Sequence, residues 1–409
     1  MRLIGPFKQI LTLAQLPLKG AIGDEQLQII ADGGVLVDCG WIKVVGNFND
    51  LRKHYPQAII REIESAQVLL PGFVDCHTHI CFGGNRAKDY AMRIAGKTYL
   101  EIAKAGGGIW DTVTQTRLTD AEKLETDLIS RTNRHLSDGV TTIEVKSGYG
   151  LSVEHELKQL RAIKNVNAQS GAHLIATCLA AHTLPRDFSG DKEEYLDYIL
   201  SGLLPVIKQE NLSNRVDIFV EESAFDKPTS IKYLTAAKQL GFDLTVHADQ
   251  FTTGGSEVAV QCGALSADHL EASDEKEIAM LTKSETVAVV LPGASLGLGM
   301  QYAPARKLLD AGACVAIASD WNPGSAPMGN LLMQASVMAA AEKMTTAEVF
   351  AGLTSRATKA LKLTDRGILQ AGMKADMQAY PVSDYREILY YQGQLKPSKI
   401  WTNGSLITN

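Results

Sequence analysis

The chain has 409 residues, 45% hydrophobic and 21% charged, enough for a core larger than that of a usual domain of ~100 to 200 residues. A net charge of -6, with no block of Lys and Arg, gives no electrostatic reason to bind nucleic acid or an anionic membrane, and excludes both as partners. Six cysteines (Cys39, Cys76, Cys81, Cys178, Cys262, Cys314) make no CxxC pair and read as small core residues rather than a disulfide frame.

The opening MRLIGPFKQILTLAQLPLKG is broken by Gly5, Pro6 and Lys8 before a signal-peptide core could form, and no apolar run reaches ~18 residues, so a cytoplasmic location is expected. Residues 1–66 are short, strand-like text with turns at Gly20, Asp32-Gly33-Gly34 and Gly46-Asn47, which predicts a β-rich module. At QVLLPGFVDCHTHI the pattern becomes a continuous apolar run, as in a parallel strand covered on both faces. Seven more runs follow: GVTTIEVKSG, AHLIATCLAAHT, RVDIFVEES, FDLTVHAD, ALSADHLE, TVAVVLPG and CVAIASDW. Between them lie amphipathic stretches such as AEKLETDLISRTNRHLSDG, EHELKQLRAIKNVNAQSG and SIKYLTAAKQLG. Strand, helix and parallel strand repeated eight times predicts an α/β chain, a (β/α)8 TIM barrel over residues 67–366. The short strands ADMQAYPV and SKIWTNGSLI, within 367–409, are expected to return to the N-terminal module and complete a small β-sandwich domain from both chain ends.

His77-Thr78-His79 ends the first barrel strand, and alternate residues on a strand point to one face, so both imidazoles can reach one ion. Alone, an HxH pair is equally compatible with two surface or core histidines. The recurrence of polar groups at later strand ends favours metal binding, because catalytic side chains of this fold cluster there. His182 follows the third run, His247 ends the fifth, His269 the sixth and Asp320 the eighth. Three histidines and a carboxylate, His77, His79, His247 and Asp320, make an N3O set suited to one divalent metal ion, Zn2+ or iron as Fe2+ or Fe3+. Asp320 is the first candidate for the base that takes a proton from water, and His269 the second. His54, His135, His155 and His173 lie on predicted helices or at a strand beginning and are read as structural.

These residues resemble the amidohydrolase superfamily, and more specifically its imidazolonepropionase family. The blocks HTHICFGGNRAKDYAMRIAGKTYLEIAKAGGGIWDTVTQTR, VKSGYGL, AAHTLP, HADQFTTGG and SDWNPGSAP all look like that family's. The resemblance implies hydrolysis of the small molecule 4-imidazolone-5-propanoate to N-formimidoyl-L-glutamate, the third step of histidine degradation. It implies the same four metal ligands, with substrate contacts at Arg86, Tyr99, Tyr149, His182, Asn322, Gly324 and Ser325. An Arg in the loop after the first strand suits the propionate arm, since a guanidinium can hold a carboxylate by two parallel hydrogen bonds. His182 and Asn322 would bond the heterocycle and its developing tetrahedral oxygen. Relatives that bridge two metals carry a modified Lys on the fourth strand; DIFVEES offers none, so one metal is expected. Gln250 stands where some relatives carry Glu, and as Gln it can be only a hydrogen-bonding neighbour of the substrate.

Blander readings exist for several of these residues. Arg86 could be a surface ion pair, the run Gly106-Gly107-Gly108 lacks the Lys-Ser/Thr of a phosphate loop and reads as a tight turn, and Glu221-Glu222 reads as a polar strand end rather than an acid/base pair. A deaminase of aminated nucleobases would share the metal set but not the carboxylate clamp, and a barrel serving only as an interaction scaffold would be expected to lack ligands. A homodimer is the family-level expectation for assembly.

Overall fold

Apolar runs become parallel strands here because helices cover them from outside and side chains fill them from within. The computed structural model describes residues 1–407, with the side chains of Tyr99, Leu100 and Ala103 outside the description. Eight strands, β1 (Phe73–Asp75), β2 (Val140–Lys146), β3 (His173–Ala181), β4 (Arg215–Phe219), β5 (Asp243–Ala248), β6 (Ser266–His269), β7 (Val287–Val290) and β8 (Val315–Ile317), pair in sequential parallel order. Each corresponds to one of the predicted runs. Backbone bonds close the ring just beyond β1 and β8: the Asp320 N–H donates to the His77 carbonyl at 3.1 Å and the His79 N–H to the Trp321 carbonyl at 2.9 Å.

The intervening helices start where a short polar side chain can accept an otherwise orphaned N–H. Asp120 caps Ala121–Ser137, Ser152 caps Val153–Asn167 and Asp226 caps Lys227–Gln239, each accepting from the third residue beyond it. The first of these buries Leu124, Leu128, Thr132, His135 and Leu136 against the barrel. Five of the six cysteines are buried, Cys39 is exposed, and all are free thiols. Among the described residues no helix is long and apolar enough to cross a membrane.

A separate sheet is built from both chain ends, as expected. Arg2–Leu11 pairs on one side with Ile29–Asp38, which continues to Trp41–Asn47. On its other side it pairs in parallel with Ile59–Glu62 and then with Val68–Pro71. Val68–Pro71 leads to Met377–Tyr380, Lys399–Thr402 and Ser405–Ile407. Both arms contribute to one buried cluster, which includes Phe7, Val35, Ile42, Leu69, Met377 and Trp401. The run QVLLPGFVDCHTHI, read as one barrel strand beginning near residue 67, is thus divided: Val68–Pro71 belongs to the end sheet and the change of sheet falls at Gly72. A Cβ at Gly72 would lie 2.2 Å from Thr141 Oγ1, so only glycine lets the chain pass so close to β2. The N-terminal module also holds a helix that its text did not suggest, Phe48–His54, capped by Asn47 and burying Phe48 and Leu51.

Arg366 joins the two bodies. Its Nη1 donates to Thr142 Oγ1 of β2 at 3.0 Å and lies 3.0 Å from His173 Nδ1 of β3 and 3.6 Å from Asp376 Oδ2 beside the end sheet. An Arg366→Met substitution leaves the buried Asp376 without its cation and is expected to lower stability by about 3 to 5 kcal/mol, the usual result of removing one partner of a buried pair. Equilibrium denaturation of the two proteins checks this; a loss below about 1 kcal/mol, the scale of a surface pair, would contradict it.

Candidate metal and substrate site

The ends of the barrel strands bring together residues far apart in the chain. His79 Nε2 lies 3.2 Å from Nε2 of both His77 and His247. Asp320 Oδ1 is 3.6 Å from His77 Nε2 and 3.4 Å from His79 Nε2. All four side chains are buried. His269 joins from β6, its ligand atom within 4.8 Å of those of His77 and Asp320.

The outer nitrogens explain what the inner ones present. His77 Nδ1 is 2.7 Å from Asp268 Oδ2 and His247 Nδ1 is 2.8 Å from Asp217 Oδ2. A carboxylate there accepts the Nδ1–H, which leaves the lone pair on Nε2, aimed at the shared centre. Burial, reinforced by Lys146 and the neighbouring rings, holds His77 well below the ordinary imidazole pKa. Burial and the neighbouring rings do the same to His79. Burial brings His247 to about 3 although Asp217 pulls the other way. Neutral rings with converging lone pairs in a dry pocket repel one another unless a cation lies between them. The N3O donor set fits one divalent cation.

Asp320 and His269 face this centre from strained backbone, with φ of +50° and +94°, a region that L side chains seldom occupy and that clusters at functional sites. Burial pushes the Asp320 carboxyl up to about 6, against the opposing pull of His269. Burial alone would lower His269, but the carboxylates of Glu271, Asp320 and Asp268 outweigh it and raise its pKa. Asn322, which lines the cavity, has its amide committed within the chain. Its NH2 group lies 2.9 Å from Asp320 Oδ2 and 2.8 Å from Ser325 Oγ, and its carbonyl accepts from the Gly324 and Ser325 N–H groups. These bonds orient Asn322 and Asp320 with respect to one another at the cavity wall.

A cavity of about 350 Å³ opens on the centre and is lined by Arg86, Tyr149, His182, Gln250, Asn322, Gly324 and Ser325. The Tyr99 side chain lies outside the described residues. Arg86 Nε donates to Asp89 Oδ2 at 2.7 Å, which steadies the guanidinium and leaves its Nη pair for a ligand. Asp89 also accepts the Gly108 N–H at 2.8 Å, and a Cβ on Gly107 would lie 2.3 Å from Asp89 Oδ1, so the glycine run is a tight turn that seats the carboxylate behind Arg86. A Cβ on Gly324 would meet Arg86 Nη1 at 2.4 Å. Tyr149 sits in a loop held by buried Glu156, which accepts the N–H groups of Gly148, Gly150 and Leu151. His182 Nδ1, 3.0 Å from the Gly148 carbonyl, is tied to the same loop, and its ring stacks on His79 with centroids 5.5 Å apart. Glu221 accepts the N–H groups of Phe251 and Thr252, fixing the segment after Gln250, while Glu222 is exposed; this pair is a strand end and not an acid/base pair.

His54, His135, His155 and His173 do not line the cavity. Sequence reasoning missed Asp217, Asp268, Glu156, Glu271 and Asp89. The signal for the first two was present, since a carboxylate inside a run that reads as fully buried strand must have a partner. It also missed Arg93, Lys97 and Phe219, which share the cavity wall.

Residues 68–407 match the model of the Amidohydrolase family, and the chain belongs to that family. It is 39% identical over 383 residues to an imidazolonepropionase of Bacillus cytotoxicus, covering 93% of this chain and 90% of the relative. It is 38% identical over 411 residues to one of Bdellovibrio bacteriovorus, covering 98% and 96%. Within the family, then, the chain is a hydrolase of the imidazolonepropionase group. The fold is shared with a zinc-complexed atrazine chlorohydrolase variant from Arthrobacter aurescens (TM-score 0.71, 15% identity, 100% and 95% covered). It is shared too with a zinc-bound adenosine deaminase from Xanthomonas campestris (TM-score 0.70, 18% identity, 99% and 92% covered).

His182 provides a test of the site's electrostatics. Burial first, opposed by the bond to the Gly148 carbonyl, lowers its pKa from 6.5 to about 4. In that interval the unfolded chain binds a proton that the folded one does not, so this residue's contribution to stability is lost as pH falls from 6.5 towards 4. Metal-free wild type should lose stability relative to His182→Gln over this window, as read by denaturation at each pH; parallel curves would refute the assignment.

Proposed function

We propose that this chain hydrolyses 4-imidazolone-5-propanoate to N-formimidoyl-L-glutamate, as a cytoplasmic homodimer with one Zn2+ or iron ion per chain. The observation that carries the reading is the Asp89-backed guanidinium of Arg86 in the same cavity as the imidazoles of His79 and His247 and the carboxylate of Asp320. A neutral nucleobase has no use for such a group, and an acid arm does.

Nε2 of His77, His79 and His247, with Oδ1 of Asp320, would hold the cation, with no bridging Lys among them. Bound there, a divalent cation supplies Lewis acidity, lowering the pKa of water and polarising a carbonyl. The chain's own residues do the rest. Arg86 clamps the propionate through Nη1 and Nη2, and Tyr149, His182 and Gln250 present polar groups to the ring from the other walls. Water oxygen bonds to the ring carbonyl carbon, the adjacent C–N bond breaks, and the freed nitrogen takes a proton. Asp320, steadied at Oδ2 by Asn322 and Ser325, accepts the proton from water and is placed to return it. His269, whose pKa Glu271 raises against the effect of burial, is the second group able to hold it. Gln250 carries no proton in this scheme.

Disappearance of 4-imidazolone-5-propanoate should stop with chelator and return on adding back zinc or iron, and metal analysis with the His77→Ala and His247→Ala variants should show the ion lost. Turnover that survives complete metal removal would defeat the proposal. Arg86→Met should lower kcat/KM by roughly 10- to 100-fold, mostly through KM, the scale of losing hydrogen bonds to a charged group, with metal content unchanged. Gly324→Ala should act in the same direction by displacing Arg86 Nη1. Equal turnover of a substrate lacking the acid arm would instead favour a deaminase-like reading.

A further inference from the structure

Beneath the imidazoles the barrel holds a buried cation that the reaction above does not use. Lys146, the last residue of β2, is fully buried, with Nζ 2.9 Å from Glu144 Oε1, 2.9 Å from Asp217 Oδ2 and 3.8 Å from Asp268 Oδ2. Each of these carboxylates leads to the metal pocket by a different route. Asp217 Oδ2 lies 2.8 Å from His247 Nδ1, and Asp268 Oδ2 is hydrogen-bonded to His77 Nδ1 at 2.7 Å. Glu144 Oε2 accepts the Thr78 N–H at 3.2 Å, and its carbonyl accepts the Thr78 hydroxyl at 2.6 Å, so it grips the backbone between His77 and His79.

Lys146 is the cation that the three carboxylates share within 4 Å among the described residues, and their other anchors are neutral groups. Asp217 Oδ1 is bonded to the Ile218 and His247 N–H groups, and Asp268 Oδ2 accepts from Thr245 Oγ1. Like charges crowded in a dry space also push one another apart. We propose that Lys146 is a positioning residue for the metal pocket: through Asp217, Asp268 and Glu144 its ammonium fixes the orientation of His77, His247 and the segment between His77 and His79. Groups behind metal ligands act in this way, and their loss weakens metal binding by about 10- to 100-fold. The inference rests on the reading of the three imidazoles as a cation site.

The test compares Lys146→Met and Lys146→Gln with Arg215→Met. Arg215 is another buried barrel cation, but its Nη2 donates to the Ala360 carbonyl and it forms no ion pair among the described residues. Metal dissociation constants and the imidazole tautomers of metal-free protein, read by histidine-selective 15N NMR, are measured for all four proteins. The lysine variants are expected to raise the dissociation constant by about 10- to 100-fold and to mix the tautomers of His77 and His247, whereas Arg215→Met changes neither even if it melts earlier. Wild-type affinity and tautomers in a folded lysine variant would overturn the proposal. So would equal weakening by Arg215→Met, or failure of both lysine variants to fold while Arg215→Met folds, since each points to a purely structural cation. If wild type itself takes up no metal, the cation-site reading fails, and the tautomer comparison still decides whether Lys146 orients the rings.

Discussion

Three imidazole nitrogens held about a hydrogen-bond length apart, with no room for water to separate them, are the constraint around which this molecule is arranged. Left to themselves such groups would turn away from one another or share protons. Here the rings cannot turn, because carboxylates on β4 and β6 hold two of them from behind. Those carboxylates would themselves be unstable in a dry interior without the lysine between them. Polar groups thus occupy the barrel interior in two tiers, an upper one that offers lone pairs and a lower one that keeps them aimed. Neither tier is tolerable alone, since a half-satisfied buried network is worse than an apolar core.

The substrate wall follows a similar logic at lower cost, because it lies nearer to water. Arg86 is useful only if its fork is held still, and Asp89 does that through one nitrogen while leaving the others free. Asp89 is in turn fixed by the Gly108 N–H, in a turn where Gly107 leaves no space for a side chain beside it. Glu156 and Glu221 play comparable parts for the loops bearing Tyr149 and Gln250. In each case a buried acid outside the cavity wall holds a residue that lines it.

The order of the barrel strands was legible because each is a nearly unbroken apolar run between capped, amphipathic helices, a pattern few other folds produce. The groups converging on the centre were legible for another reason. His77, His79, His247, His269 and Asp320 end such runs, and packing does not explain polar residues there. The supporting residues were harder to see. Asp217 and Asp268 sit inside the runs, where a charge looks like an interruption until the partner across the barrel is known. Lys146 passes as the polar end of a strand. The seam at Gly72 was hidden because Val68–Pro71 and Phe73–Asp75 are equally apolar, and composition does not say which sheet an apolar residue joins. Asn322 was recognised as a site residue, but its bonds to Asp320, Gly324 and Ser325 depend on a turn geometry that the sequence does not spell out.

The ring of strands is completed by the peptide groups of His77, His79, Asp320 and Trp321, stretches that also carry three of the four side chains proposed to hold the cation. Assembly of the reactive centre and completion of the barrel are therefore a single event in folding. A nascent chain that has made seven strands owns three of these four side chains but no fixed distance to Asp320, and the proposed cation site is complete only when the eighth strand arrives. Metal capture at the proposed site would consequently report on the integrity of the whole barrel, and a divalent ion added during refolding would favour the closed ring over open intermediates by mass action.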